Sequence, residues 1–81
     1  MRALLNFVPN RGGYFISFCD ATATKAIGRS RVVKDRDVLI RVVEKMHGDI
    51  EGAKNSLHWW GQGSTWVDLS PEQCKFFEIT S

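Results

Sequence analysis

Cysteine, histidine and long apolar runs are all scarce in this chain. Its 81 residues hold two cysteines and two histidines. Cys19 and Cys74 form no C-x-x-C pair, which points to two separate thiols rather than a disulfide framework. Cys19, His47, His58 and Cys74 match a zinc ligand count but lack the close paired spacing of a zinc site, so no metal is expected. The one apolar run of note, ALLNFV, spans about six residues and is broken by Asn6, too short for a signal-peptide core. Elsewhere apolar runs stop at four residues or fewer, so no membrane span fits. The expectation is a soluble, cytoplasmic protein with no membrane partner. Internal repeats and low-complexity segments are missing too.

The same scarcity weighs against catalysis. Cys19, His58 and Asp68 are the types a nucleophile, a base and an orienting acid require. If residues 57–60 and 65–69 pair as a hairpin, His58 and Asp68 lie on opposite faces, and a chain this short encloses little substrate volume. The GQGS stretch lacks the lysine and the strand-to-helix setting of a phosphate loop. A non-catalytic protein without cofactor or small-molecule substrate is expected.

What is present is globular. Hydrophobic residues make up 43% and charged residues 25%, which argues against disorder. Residues 1–81 form one domain with a thin core, leaving roughly 3–5 kcal/mol of net stability.

Charge is unevenly distributed. Residues 1–48 carry nine Lys and Arg against four acids, whereas residues 49–81 carry two against five. The stretch ATATKAIGRSRVVK, residues 21–34, has no acid at all. Lys25, Arg29, Arg31 and Lys34, continued by Arg36 and Arg41, would suit a phosphate backbone if they formed one face. If residues 25–33 are a strand, Lys25, Arg29 and Arg31 share parity. The competing reading is an edge strand guarded by charge against aggregation.

Local patterns give the elements. Residues 3–8 and 14–20 read as two strands around a loop at 9–13, where Gly12 and Gly13 can take positive φ. Residues 21–34 read as an exposed third strand or an extended loop. Val38 or Leu39, Val42 or Val43, and Met46 recur at helical spacing, predicting a helix over 36–47 with Gly48 as its left-handed cap. A short helix or single turn follows from Asp49, weakened by Gly52. Residues 57–60 and 65–69 read as a hairpin about Gly61-Gln62-Gly63-Ser64. Ser70-Pro71-Glu72-Gln73 is a capping-box start for a helix over 71–77. The fold class is a small single α+β domain with a mainly antiparallel sheet of four or five short strands, ordered ββ(β)α(α)ββα. One main amphipathic helix and a short C-terminal helix pack against it.

HWWGQGSTW, residues 58–66, concentrates all three tryptophans. In the hairpin register Trp60 faces Thr65 on the core side, while Trp59 faces Trp66 on the other, alongside Leu57. Two exposed tryptophans side by side would mark a contact site or a stacking platform for unpaired bases. The expected function is therefore an interaction module that binds a protein partner, or itself as a homodimer, through Trp59, Trp66 and Leu57. A nucleic-acid binder using Lys25, Arg29, Arg31, Lys34, Arg36 and Arg41 is the second reading. No RNA-binding signature or helix-turn-helix spacing accompanies those bases.

Overall fold

The computed structural model describes residues 1–79. Four strands form one sheet: β1 (Arg2–Asn10), β2 (Gly13–Cys19), β3 (Ala26–Val33) and β4 (Gly63–Asp68). Between β3 and β4 lie α1 (Arg36–Lys45) and α2 (Ile50–Trp60), and α3 (Pro71–Phe76) closes the order. The spatial order is β3-β2-β1-β4, with every neighbouring pair antiparallel. The expected α+β domain with an antiparallel sheet is what the chain adopts.

β1 and β2 join through a two-residue turn in which Arg11 and Gly12 have φ of 48° and 86°. Positive φ at both central positions is what a type I′ hairpin needs, because its twist matches that of the strands. Alternation along the strands then separates two faces. Ala3, Leu5, Phe7, Ile16, Phe18 and Val67 are buried on one face against Leu39, Val43 and Met46 of the α1 segment, Ala53 and Leu57 of α2, and Phe77. The opposite face carries Leu4, Asn6, Val8, Phe15, Ser17, Cys19 and Trp66, half-buried to exposed.

The helices begin where side chains meet the free N–H groups of their first turns. Asp35 accepts from the Val38 N–H at 2.9 Å, and Asp49 from the Gly52 N–H at 3.0 Å. Ser70 and Gln73 form the expected capping box: the Gln73 N–H donates to Ser70 Oγ at 3.2 Å and the Ser70 N–H to Gln73 Oε1 at 2.8 Å. The left-handed residue after α1 is His47, with φ 53°, in place of the expected Gly48. Gly48 instead packs where an added Cβ would fall 2.7 Å from the Val43 side chain.

One further expectation changes, and an open one is settled. Residues 57–60 are not a strand but the last turn of α2, because Ala53 and Leu57 bury one helical face and Gly61 caps the end. Gly61 has φ 69°, and its N–H donates to the Leu57 carbonyl at 3.1 Å. The glycine that resembled a hairpin turn is thus a helix stop. Residues 21–34 resolve into an acid-built turn and an edge strand. Asp20 Oδ1 accepts from the Thr22 N–H, the Thr22 hydroxyl and the Thr24 N–H, and β3 follows. Register shifts between Ile16↔Arg31 and Phe18↔Ile27, so residues 28–30 bulge opposite Ser17.

Candidate functional site: the β4 edge

The two sheet edges differ sharply. β3 is covered in part by the C-terminal segment: the Arg29 N–H donates to the Phe77 carbonyl, and Gly28 sits so close to Ile79 that a Cβ would collide. Its bases are engaged as well. Arg31 donates to the Phe76 carbonyl at 3.2 Å, with its guanidinium 4.8 Å from the Phe76 ring centroid. Arg29 lies 3.5 Å from the Glu78 carboxylate.

β4 carries no such cover over most of its length. Met1 and Leu69 exchange two hydrogen bonds of 2.7 Å, which fixes the phase of the β1–β4 ladder. Ala3–Val67, Leu5–Thr65 and Phe7–Gly63 are then the bonded pairs, and the backbone groups of Ser64, Trp66 and Asp68 point away from β1. The Asp68 N–H finds the Met46 carbonyl at 2.7 Å. The N–H and C=O of Ser64 and Trp66 have no partner among the described residues. Gly63 to Val67 are uncharged, so this edge also lacks the charged side chains that commonly guard one.

Tryptophans stand on both sides of it. Trp66 is 36% exposed on the open face of the sheet, beside Leu4, with the Arg2 guanidinium 4.8 Å from its ring centroid. On the helical side, Ser56 packs over Gly63, where an added Cβ would lie 2.7 Å from the Ser56 Cβ. Trp59 and Trp60 are its neighbours three and four residues on, so they continue that flank of α2 past the start of β4. They are 72% and 78% exposed.

This arrangement departs from the expected one residue by residue. Trp59 and Trp66 do not face each other across a hairpin, because one is helical and the other in a strand. Leu57, expected on the contact surface, is a core residue only 6% exposed. Trp60, expected in the core, lies in solvent, and Val67 and Leu69 fill that role without it. The i+3 and i+4 relation of Trp59 and Trp60 to Ser56 points to the site only through the packing of Ser56 over Gly63, which no sequence signal gives.

The basic residues do not assemble into one stripe. Lys25 precedes β3, Lys34 follows it, Arg36 opens α1 and Arg41 lies on its exposed side, while Arg29 and Arg31 turn to the C-terminal segment. The shared parity of Lys25, Arg29 and Arg31 fails because Lys25 lies outside the strand and the bulge intervenes.

Other features are modest. Both cysteines are free, with the Cys74 sulfur 3.9 Å from that of Met1. Among the described residues no three His, Cys, Asp or Glu side chains gather in one place, and no helix is long and apolar enough to cross a membrane. Comparison with protein families, curated proteins and solved structures finds no match.

Proposed function

We propose that this protein is a small, non-catalytic interaction module that binds protein through the β4 edge and the tryptophans that frame it. One observation carries the reading: Trp59 and Trp60, 72% and 78% exposed, end the helix whose Ser56 packs over Gly63, at the start of a strand whose Ser64 and Trp66 backbone groups have no partner among the described residues. Adding an extended segment to such an edge supplies main-chain hydrogen bonds, and flanking side chains supply selectivity. Exposed tryptophans are the residues most enriched among binding hot spots, and the cores of protein interfaces are depleted in charge, as Gly63 to Val67 are.

The nucleic-acid reading has less support. Arg29 and Arg31 already have intramolecular partners, and Lys25, Lys34, Arg36 and Arg41 are distributed over separate elements.

A photo-crosslinking residue at Gln62, compared with one at Lys25, tests the proposal in cells of the protein's source. Crosslinks to protein from position 62 should disappear when Trp59 and Trp60 are both alanine, while position 25 gives none of the same products. Equal crosslinking from both positions removes the edge from consideration. Salt-sensitive quenching of tryptophan fluorescence by single-stranded nucleic acid would replace this reading with nucleic-acid binding.

A further inference from the structure

Resting on that reading of the edge, we propose that its occupant is a second copy of the same chain. The two β4 strands pair antiparallel across a two-fold axis at Thr65, making one continuous sheet of both copies.

Backbone phase selects this register. A two-fold axis normal to the sheet keeps the helices of both copies on one side, so paired residues must point to the same face. The axis must therefore pass at a residue, and Thr65 and Trp66 lie at the centre of the edge. An axis at Trp66 would pair Asp68 with Ser64 and draw on the Asp68 N–H, which is already given to Met46. An axis at Thr65 pairs Ser64 with Trp66 twice. The N–H and C=O of both residues are then used in both copies, flanking a non-bonded Thr65–Thr65 pair.

Side chains agree with that choice. Each Trp66 indole meets the small Ser64 of the other copy on the open face. The ladder between copies ends at Ser64–Trp66, since the Asp68 N–H stays with Met46 and Gln62 lies outside β4, and Asp68, the one charge on the strand, meets no like charge across the pair. Trp59 and Trp60 of each copy, beyond the start of β4, face the Asp68 end of the other. From exposures of 72%, 78% and 36%, and about 150–250 Å² per aromatic side chain, the six tryptophans alone offer roughly 700 Å² to cover. Strand edges and flanking helices add to that, bringing the total toward the ~1,000 Å² a specific interface needs. A thin-cored chain gains stability from such association.

Sedimentation equilibrium from low to high micromolar concentration tests this on wild type and on Ser64→Pro. Proline at position 64 removes an N–H that points away from β1, so the monomer keeps its ladder while the edge is blocked. Wild type should be dimeric. Ser64→Pro acts twice across the axis, removing two hydrogen bonds, and should weaken dimerisation by about 30-fold or more. A wild type that stays monomeric at the highest concentration overturns the dimer. Tryptophan-dependent crosslinks to a different protein would then leave the interaction reading standing, and their absence would remove both. A wild-type dimer indifferent to Ser64→Pro overturns the β4 pairing. If Ser64→Pro fails to fold, amide exchange of wild type decides. Protection of the Ser64 and Trp66 amides that rises with concentration supports the pairing, and rapid exchange at every concentration refutes it.

Discussion

Leu57 and Trp60 lie three residues apart on α2, and their alanine variants should differ widely in stability. Leu57 is 6% exposed and packed in the core, so Leu57→Ala removes buried methyl groups and leaves a cavity. Such changes cost about 2.7–5 kcal/mol. A domain of this size holds roughly 3–5 kcal/mol in total, so the variant should sit at the edge of unfolding. At about 4–8 °C per kcal/mol, its melting temperature should fall by more than about 10 °C. Trp60 is 78% exposed, so only about a fifth of its surface is lost from the interior on truncation. At about 25 cal/mol per Å² over roughly 50 Å², that costs about 1 kcal/mol, offset by a few tenths from alanine's higher helix propensity. Urea titration followed by far-ultraviolet circular dichroism compares the two without depending on the removed fluorophore. A hairpin over 57–69 would reverse the order, since a core Trp→Ala change costs about 3–5 kcal/mol. Trp60→Ala losing more stability than Leu57→Ala would refute both the helical assignment and the exposed site.

Two further outcomes follow from the caps and turns. Asp49→Ala should lower the urea midpoint, by about 1 kcal/mol of stability at unchanged m-value, because it removes the acceptor for the Gly52 N–H, while Asp49→Asn should retain most of it. The Asp20 carboxyl should titrate below the usual 3.8, held down first by the Thr22 hydroxyl and then by the Thr24 N–H. Its folded-state pKa being lowered, its contribution is present above the unfolded value and fades as pH falls through the folded one. A midpoint at or above 3.8 in an NMR titration of Asp20 contradicts that turn geometry.

Much of the fold is legible because its signals are local. Asp35, Asp49 and Ser70 each mark a helix start, and each side chain accepts the N–H its position implies. The Arg11-Gly12 turn lies inside the loop anticipated at 9–13. What misleads is the weight given to single residues against the ends of an element. Gly52 counts against a helix by propensity, yet its N–H is the one the Asp49 cap engages. The adjacent tryptophans favour a strand, yet Ala53 and Leu57 continue a buried helical face to the stop at Gly61. Caps at both ends outweigh the β-propensity of a dipeptide.

The site itself is far less legible, because being an edge is a property of the sheet rather than of any strand. Nothing within Gly63–Asp68 says that its neighbour is β1, some sixty residues earlier, or that no strand lies on its other side. The pairing also decides which backbone groups are spent. Only the phase set by Met1 and Leu69 turns the Ser64 and Trp66 amides outward. With the edges identified, the charge asymmetry takes on a structural meaning. Arg29 and Arg31 lie on β3, with Lys25 just before it and Lys34 just after, and the same edge is held by the Phe77–Ile79 segment. A strand bordered by like charges resists pairing with another chain. β4 has no Lys, Arg or Pro along it, its Ser64 and Trp66 backbone groups have no partner among the described residues, and exposed tryptophans lie on its open face at Trp66 and beyond its start at Trp59 and Trp60. Protection of one edge and exposure of the other make the absence of Lys and Arg on β4, more than their presence on β3, the informative feature.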